Sequence, residues 1–129
     1  MVAPRALWPT VLWALVILFL CLLPGSSLPA WDWFALLDLD KLVHAGMFFV
    51  LALLLSRALL ARGASRWLLW AVLISALYGV ATECMQGLEA MGRRMDINDM
   101  IANTVGAIGA GWFAHFRARK GRAVVPFLP

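Results

Sequence analysis

Four stretches of this chain are almost free of charge, and each is long enough to cross a hydrocarbon layer. They run over residues 7–23, 42–60, 67–85 and 100–116. A helix needs roughly 20 mostly apolar residues to span a bilayer core, with about 17 as the lower limit. The first stretch lies inside a charge-free run over residues 6–31. His44 and Arg57 interrupt the second, and Glu83 stands near the end of the third. Asn103 and His115 mark the two ends of the fourth. None alternates apolar with polar residues as a barrel strand does. The rest of the composition agrees. Hydrophobic residues make up 64% of the 129, charged residues 14%, and the mean hydropathy is +0.86. A soluble domain holds about 45–50% apolar and about 25% charged residues, and one this small has too little interior to hide the excess. An ordinary soluble domain, a disordered chain and a disulfide scaffold are excluded. The predicted fold is all-α: a polytopic membrane protein with four transmembrane helices in one compact bundle, a single domain over 1–129 with a basic tail at 117–129.

The connections fit four spans. Pro24 to Pro29 breaks the chain after the first, as Pro and Gly do. Residues 61–66 form a tight link containing Gly63, and residues 86–99 a longer polar loop. Charge then sorts by side. Arg5, Arg57, Arg62, Arg66, Arg117, Arg119, Lys120 and Arg122 fall on one side with no acid. Lys41, Arg93 and Arg94 fall on the other, with Asp32, Asp38, Asp40, Glu83, Glu89, Asp96 and Asp99. The positive-inside rule places the first side, and both termini, in the cytoplasm. The net charge of +4 therefore reads as a topology and headgroup signal, not as a nucleic-acid interface. No A-x-A cleavage site follows the first span, so it reads as an uncleaved anchor. Trp31, Trp33, Trp67 and Trp112 suit membrane interfaces, or a contact between protomers. Cys21 and Cys84 fall near the outer ends of their helices, as apolar fillers or as a disulfide on the oxidising side.

Polar residues enter the membrane from one side only. His44, Glu83 and Asn103 each lie within about a turn of the outer end of a span. Asp40 and Lys41 stand four and three residues before His44, so they share its helix face. Ala71, Ser75, Gly79 and Glu83 form a small-residue stripe on the third span. On the fourth, Asp99, Asn103, Ala107 and Gly111 form one stripe, and Ala102, Gly106 and Ala110 a second. Small-residue stripes let helices approach closely in membranes, so spans three and four are expected to pack tightly, with Glu83 and Asn103 meeting. Asp96 suits the N-cap of span four. Arg93 is within reach of Glu83, Asp96 or an anionic ligand.

Taken together, Asp40-Lys41-Leu42-Val43-His44, Glu83-Cys84-Met85-Gln86, Gly92 to Asp99 and Ile101 to Gly106 resemble the VanZ-like family. These are small bacterial membrane proteins whose namesake is linked to teicoplanin resistance. The resemblance covers residues 40–111. It places the family's motif residues on Asp40, Lys41, His44, Glu83, Gln86, Arg93, Asp96, Asp99, Asn103 and Gly106. It implies a multi-pass protein of the bacterial cytoplasmic membrane, with a phenotype class and no stated reaction.

Three functions compete. In the first, Asp40, Lys41, His44, Glu83, Gln86, Arg93, Asp96, Asp99 and Asn103 bind an anionic envelope lipid, a lipid-linked cell-wall precursor or a lipoglycopeptide at the extracytoplasmic face. In the second, His44 and Glu83 are catalytic, as general acid and base on such a lipid. In the third, the chain is a structural or regulatory subunit of an envelope complex. A homodimer or an envelope-protein partner is compatible with each. No Gly-x-Ser-x-Gly elbow is present, and non-catalytic binding is the favoured reading. A metal-assisted variant would draw on His44, Glu83, Asp96 and Asp99. Carboxylates with one imidazole form a weak zinc pattern, so neither a metal nor another cofactor is expected.

Overall fold

The computed structural model describes residues 4–23, 39–88 and 92–128. The Pro24–Pro29 break, Trp31, Trp33, Asp32, Asp38 and Glu89 lie outside the described residues. Within them the fold is all-helical. A 3₁₀ turn at Pro4–Ala6 leads into α1 (Trp8–Cys21), followed by α2 (Leu39–Ala61), α3 (Trp67–Gln86) and α4 (Ile97–Arg119). Each predicted span falls on one of these helices. α2 and α4 exceed their predicted bounds at both ends, and α1 is shorter than its stretch.

Local chemistry sets the ends. Pro9 occupies the first turn of α1, where a missing N–H costs nothing. Gly63 takes a positive φ of 66° just after α2, and its N–H donates to the Leu60 carbonyl at 2.9 Å. Such a left-handed residue ends a helix cleanly. Asp96 caps α4 as predicted, its side chain accepting from the Asn98 N–H at 2.8 Å.

Packing is closest between α2 and α4, then between α3 and α4. α1 lies against α2 and α3. The Trp13 indole donates to the Met47 carbonyl at 2.9 Å, and the Tyr78 hydroxyl to the Ala14 carbonyl at 2.6 Å. α2 and α4 start at the same end of the bundle, where α1 and α3 finish.

The small residues of α4 meet both neighbouring helices. Asn103 and Gly111 face α3, meeting Gly79 and Val72. Gly106 faces α2 instead, so close to the Ala45 backbone that an added methyl would overlap its carbonyl. The expected tight packing of spans three and four is present, and Gly106, expected to take part in it, meets α2 instead.

Beside an apolar core of Ile17, Phe48 and Leu51, small and polar residues fill much of the interior, and many large apolar ones face outward. The interior holds Ala52, Ala71, Ala107, Ala110, Ser56, Ser75, Thr82, Glu83 and Asn103, all nearly inaccessible. Leu15, Phe19, Leu42, Leu77, Ile101, Val105 and Trp112 point outward. A contiguous apolar exterior of this kind suits lipid and not water. By length and composition, α2 and α3 are apolar enough to cross a membrane. α1 has only 14 residues, which rise about 21 Å.

Candidate functional site

The polar residues singled out in the sequence gather at one end of the bundle, where α2 and α4 begin. Their positions follow from helix register. Lys41 and His44 lie one turn apart on α2, Asp99 and Asn103 one turn apart on α4, and Glu83 sits in the last turn of α3.

Lys41 is the hub of the outer layer. Its ammonium donates to Asp40 Oδ2 at 2.9 Å, Asp96 Oδ2 at 2.9 Å and Asp99 Oδ1 at 2.5 Å. An ammonium has three donors, so all are committed. Asp40 and Asp96 keep 40% of their side chains exposed, Asp99 only 12%. The Lys41 ammonium beside Asp96, with the Asn98 N–H, holds the Asp96 carboxyl below the ordinary aspartate range.

One layer deeper lie His44, Glu83 and Asn103, all buried. His44 Nδ1 stands 3.1 Å from Asn103 Oδ1, so the ring N–H donates to the amide carbonyl. His44 Nε2 is 3.6 Å from Asp99 Oδ2, and Nδ1 is 3.9 Å from Glu83 Oε1. Glu83 Oε2 accepts from the Asp96 N–H at 3.1 Å. Its other oxygen, Oε1, has no hydrogen-bond partner among the described residues, and neither has Asn103 Nδ2. Glu83 and Asn103 thus converge on His44 from two helices.

Two expected site residues turn elsewhere. Gln86 Nε2 and an Arg93 guanidinium nitrogen both donate to the Cys21 carbonyl, at 3.1 and 3.2 Å. They close the end of α1, whose last carbonyls lack helical partners. Sequence alone did not reveal this acceptor, because a backbone carbonyl leaves no trace in residue identity. Arg94 is exposed. Cys21 and Cys84 are free thiols, the first buried and the second exposed.

Beside the cluster, an open groove of about 570 Å³ runs between α2 and α4. Lys41 and Asn98 stand at its polar end, with Leu42, Ala45, Ile101, Ala102 and Val105 along it. The groove went unread in the sequence, since its apolar residues look like ordinary span.

At the far end, Arg57 donates to the Leu128 carbonyl at 3.1 Å, holding the chain after α4 against α2. Trp112 is 73% exposed and stacks on Phe116.

A family model described as VanZ/LLP1 matches residues 7–117. No curated protein and no solved structure matches the chain.

Proposed function

We propose, from the premise that the chain belongs to the VanZ/LLP1 family, that it binds an anionic lipid at a membrane face. In this reading it crosses the bacterial cytoplasmic membrane four times as a single domain, with both termini in the cytoplasm. The polar end of the bundle then faces outward. Its ligand is an envelope lipid, a lipid-linked cell-wall precursor or a lipoglycopeptide of the teicoplanin type.

The groove between α2 and α4 carries this reading. It joins a polar end at Lys41 and Asn98 to an apolar wall of Leu42, Ile101 and Val105. That gradient matches a headgroup followed by a hydrocarbon tail. Lys41 already meets three carboxylates, so a bound phosphate must take the place of one. Asp40 and Asp96 are the half-exposed partners and yield first, while Asp99 stays.

The test is mass spectrometry of lipids that co-purify with the detergent-extracted protein. The expected result is an anionic lipid enriched on the wild type and depleted on Val105→Trp, which fills the groove. Identical lipid profiles on the two proteins would sink the reading.

A second reading has its own observation. Glu83 Oε1 is buried, without a hydrogen-bond partner among the described residues, and 3.9 Å from the His44 ring. Such a pair suits general acid–base work on the lipid headgroup. A lipid whose mass changes in cells expressing the wild type, and not in cells expressing Glu83→Gln, supports it over simple binding.

A further inference from the structure

We propose that His44, Glu83 and Asp99 bind one divalent transition-metal ion at the polar end of the bundle. The three residues come from α2, α3 and α4, and one ligand atom of each lies within 4.8 Å of the other two. Zinc binds nitrogen and oxygen donors at about 2.0–2.2 Å, which sets neighbouring donors roughly 3–4 Å apart. His44 Nε2, the ring nitrogen that Asn103 leaves free, stands 3.6 Å from Asp99 Oδ2, inside that range.

Each of the three side chains is held by one atom and free at another. Asn103 Oδ1 engages the imidazole at Nδ1, Lys41 engages Asp99 at Oδ1, and the Asp96 N–H engages Glu83 at Oε2. His44 Nε2, Glu83 Oε1 and Asp99 Oδ2 remain, Oδ2 beside Nε2 and Oε1 3.9 Å from the other ring nitrogen. This is how metal ligands are oriented, by partners on the atoms that do not touch the ion.

Burial adds a requirement. Glu83 is 0% exposed, and its Oε1 has no donor among the described residues. A buried carboxylate oxygen left without a partner is costly. Lys41 cannot supply one, because its three donors are committed.

Charge points the same way. Among the described residues, Asp40, Glu83, Asp96 and Asp99 meet Lys41 and Arg93 at this end. With the exposed Arg94 counted, four carboxylates against three cations leave one negative charge over. Helix dipoles do not offset it, because two helices begin here and two end. A cation is therefore favoured at this end.

The donor set selects the ion. One imidazole with two carboxylates suits Zn²⁺, Fe²⁺ or Mn²⁺, whereas Ca²⁺ and Mg²⁺ prefer all-oxygen sites. His44 and Asp99 keep 10% and 12% of their side chains exposed, which gives the ion a way in from the polar face. The fold supplies what the sequence spacing lacked, since each helix offers only one ligand. The inference does not rest on the lipid reading. Metal binding needs no lipid and lipid binding needs no metal, so either fails alone.

The test uses the full-length protein in detergent, stripped with a chelator and titrated calorimetrically with Zn²⁺ and with Mn²⁺. One ion per chain and a higher melting temperature with metal are expected for the wild type. Glu83→Gln and His44→Gln should each weaken the affinity at least about tenfold, while His115→Gln, exposed at the far end of α4, binds as wild type. Helix content by circular dichroism checks that each variant is folded. Failure of the folded wild type to bind Zn²⁺ or Mn²⁺ overturns the proposal, and so does a preference for Mg²⁺ or Ca²⁺. Undiminished binding by both ligand variants also overturns it. If the wild type binds no metal and Glu83 titrates in the neutral range by infrared spectroscopy, a proton occupies the place assigned here to the ion.

Discussion

Lys41 Nζ stands 2.5 Å from Asp99 Oδ1, and this pair ties the first turn of α2 to the first turn of α4. The two helices run in the same direction and form the closest packing in the bundle. Asp99 is largely shielded from solvent, so it has little water to replace a lost partner. Lys41→Gln would leave three carboxylates facing one another. The expected cost is about 1–3 kcal/mol, the penalty for unpairing a buried polar group. A lower melting temperature in detergent checks it, and an unchanged one would mean the pair contributes nothing.

Acid should weaken the same end of the bundle through Asp96. Its folded pKa lies below the ordinary value because the Lys41 ammonium and the Asn98 N–H favour the charged form. A group depressed on folding stabilises the fold above its unfolded pKa, near 4 for aspartate. That contribution disappears as pH falls through the lower folded value. Asp96→Asn keeps a side chain that caps helices well but cannot titrate. Melting curves from pH 7 to pH 3 should therefore fall less steeply at the acid end for Asp96→Asn than for the wild type.

Two glycines in helices should respond oppositely to the same substitution. A methyl on Gly106 overlaps the Ala45 backbone, which cannot move aside as a flexible side chain would. Gly106→Ala must push α4 from α2, at a cost of about 1–3 kcal/mol for an overpacked contact. Gly46, on α2, has nothing within 4 Å of an added methyl among the described residues. Gly46→Ala should leave stability unchanged or raise it by about 0.5–1 kcal/mol. Thermal melts of the two variants, side by side, decide this. Equal behaviour would remove the close α2–α4 approach from the account.

The helices were legible because lipid demands long apolar runs, and the runs of residues 42–60 and 67–85 sit inside α2 and α3. The cluster was legible because charged groups rarely enter such runs without a use. His44, Glu83 and Asn103 stood out for that reason. Their partners were less so. Spacing on one helix placed Asp40 and Lys41 beside His44, but only the fold shows one ammonium holding three aspartates. Likewise, the Ala102–Gly106–Ala110 stripe was expected to serve the packing of spans three and four, whereas Gly106 meets Ala45 of α2. Contacts between helices depend on rotation about each axis, which a residue pattern constrains only in part.

The four-span topology is open to direct test at both ends of the bundle. Arg122 follows α4 and is exposed, and Asp40 is half-exposed at the end where α2 begins. If both termini are cytoplasmic, these positions lie on opposite sides of the membrane. Two single-cysteine variants, Arg122→Cys and Asp40→Cys, are made after Cys21 and Cys84 are replaced by alanine. Intact spheroplasts are then treated with a membrane-impermeant maleimide. Asp40→Cys should label in intact cells, and Arg122→Cys only after lysis. Labelling of both from outside would place the C-terminal tail, with Arg117, Arg119, Lys120 and Arg122, outside the cytoplasm. That would contradict the positive-inside assignment. Labelling of Arg122→Cys alone would invert the protein and turn the groove between α2 and α4 toward cytoplasmic lipids.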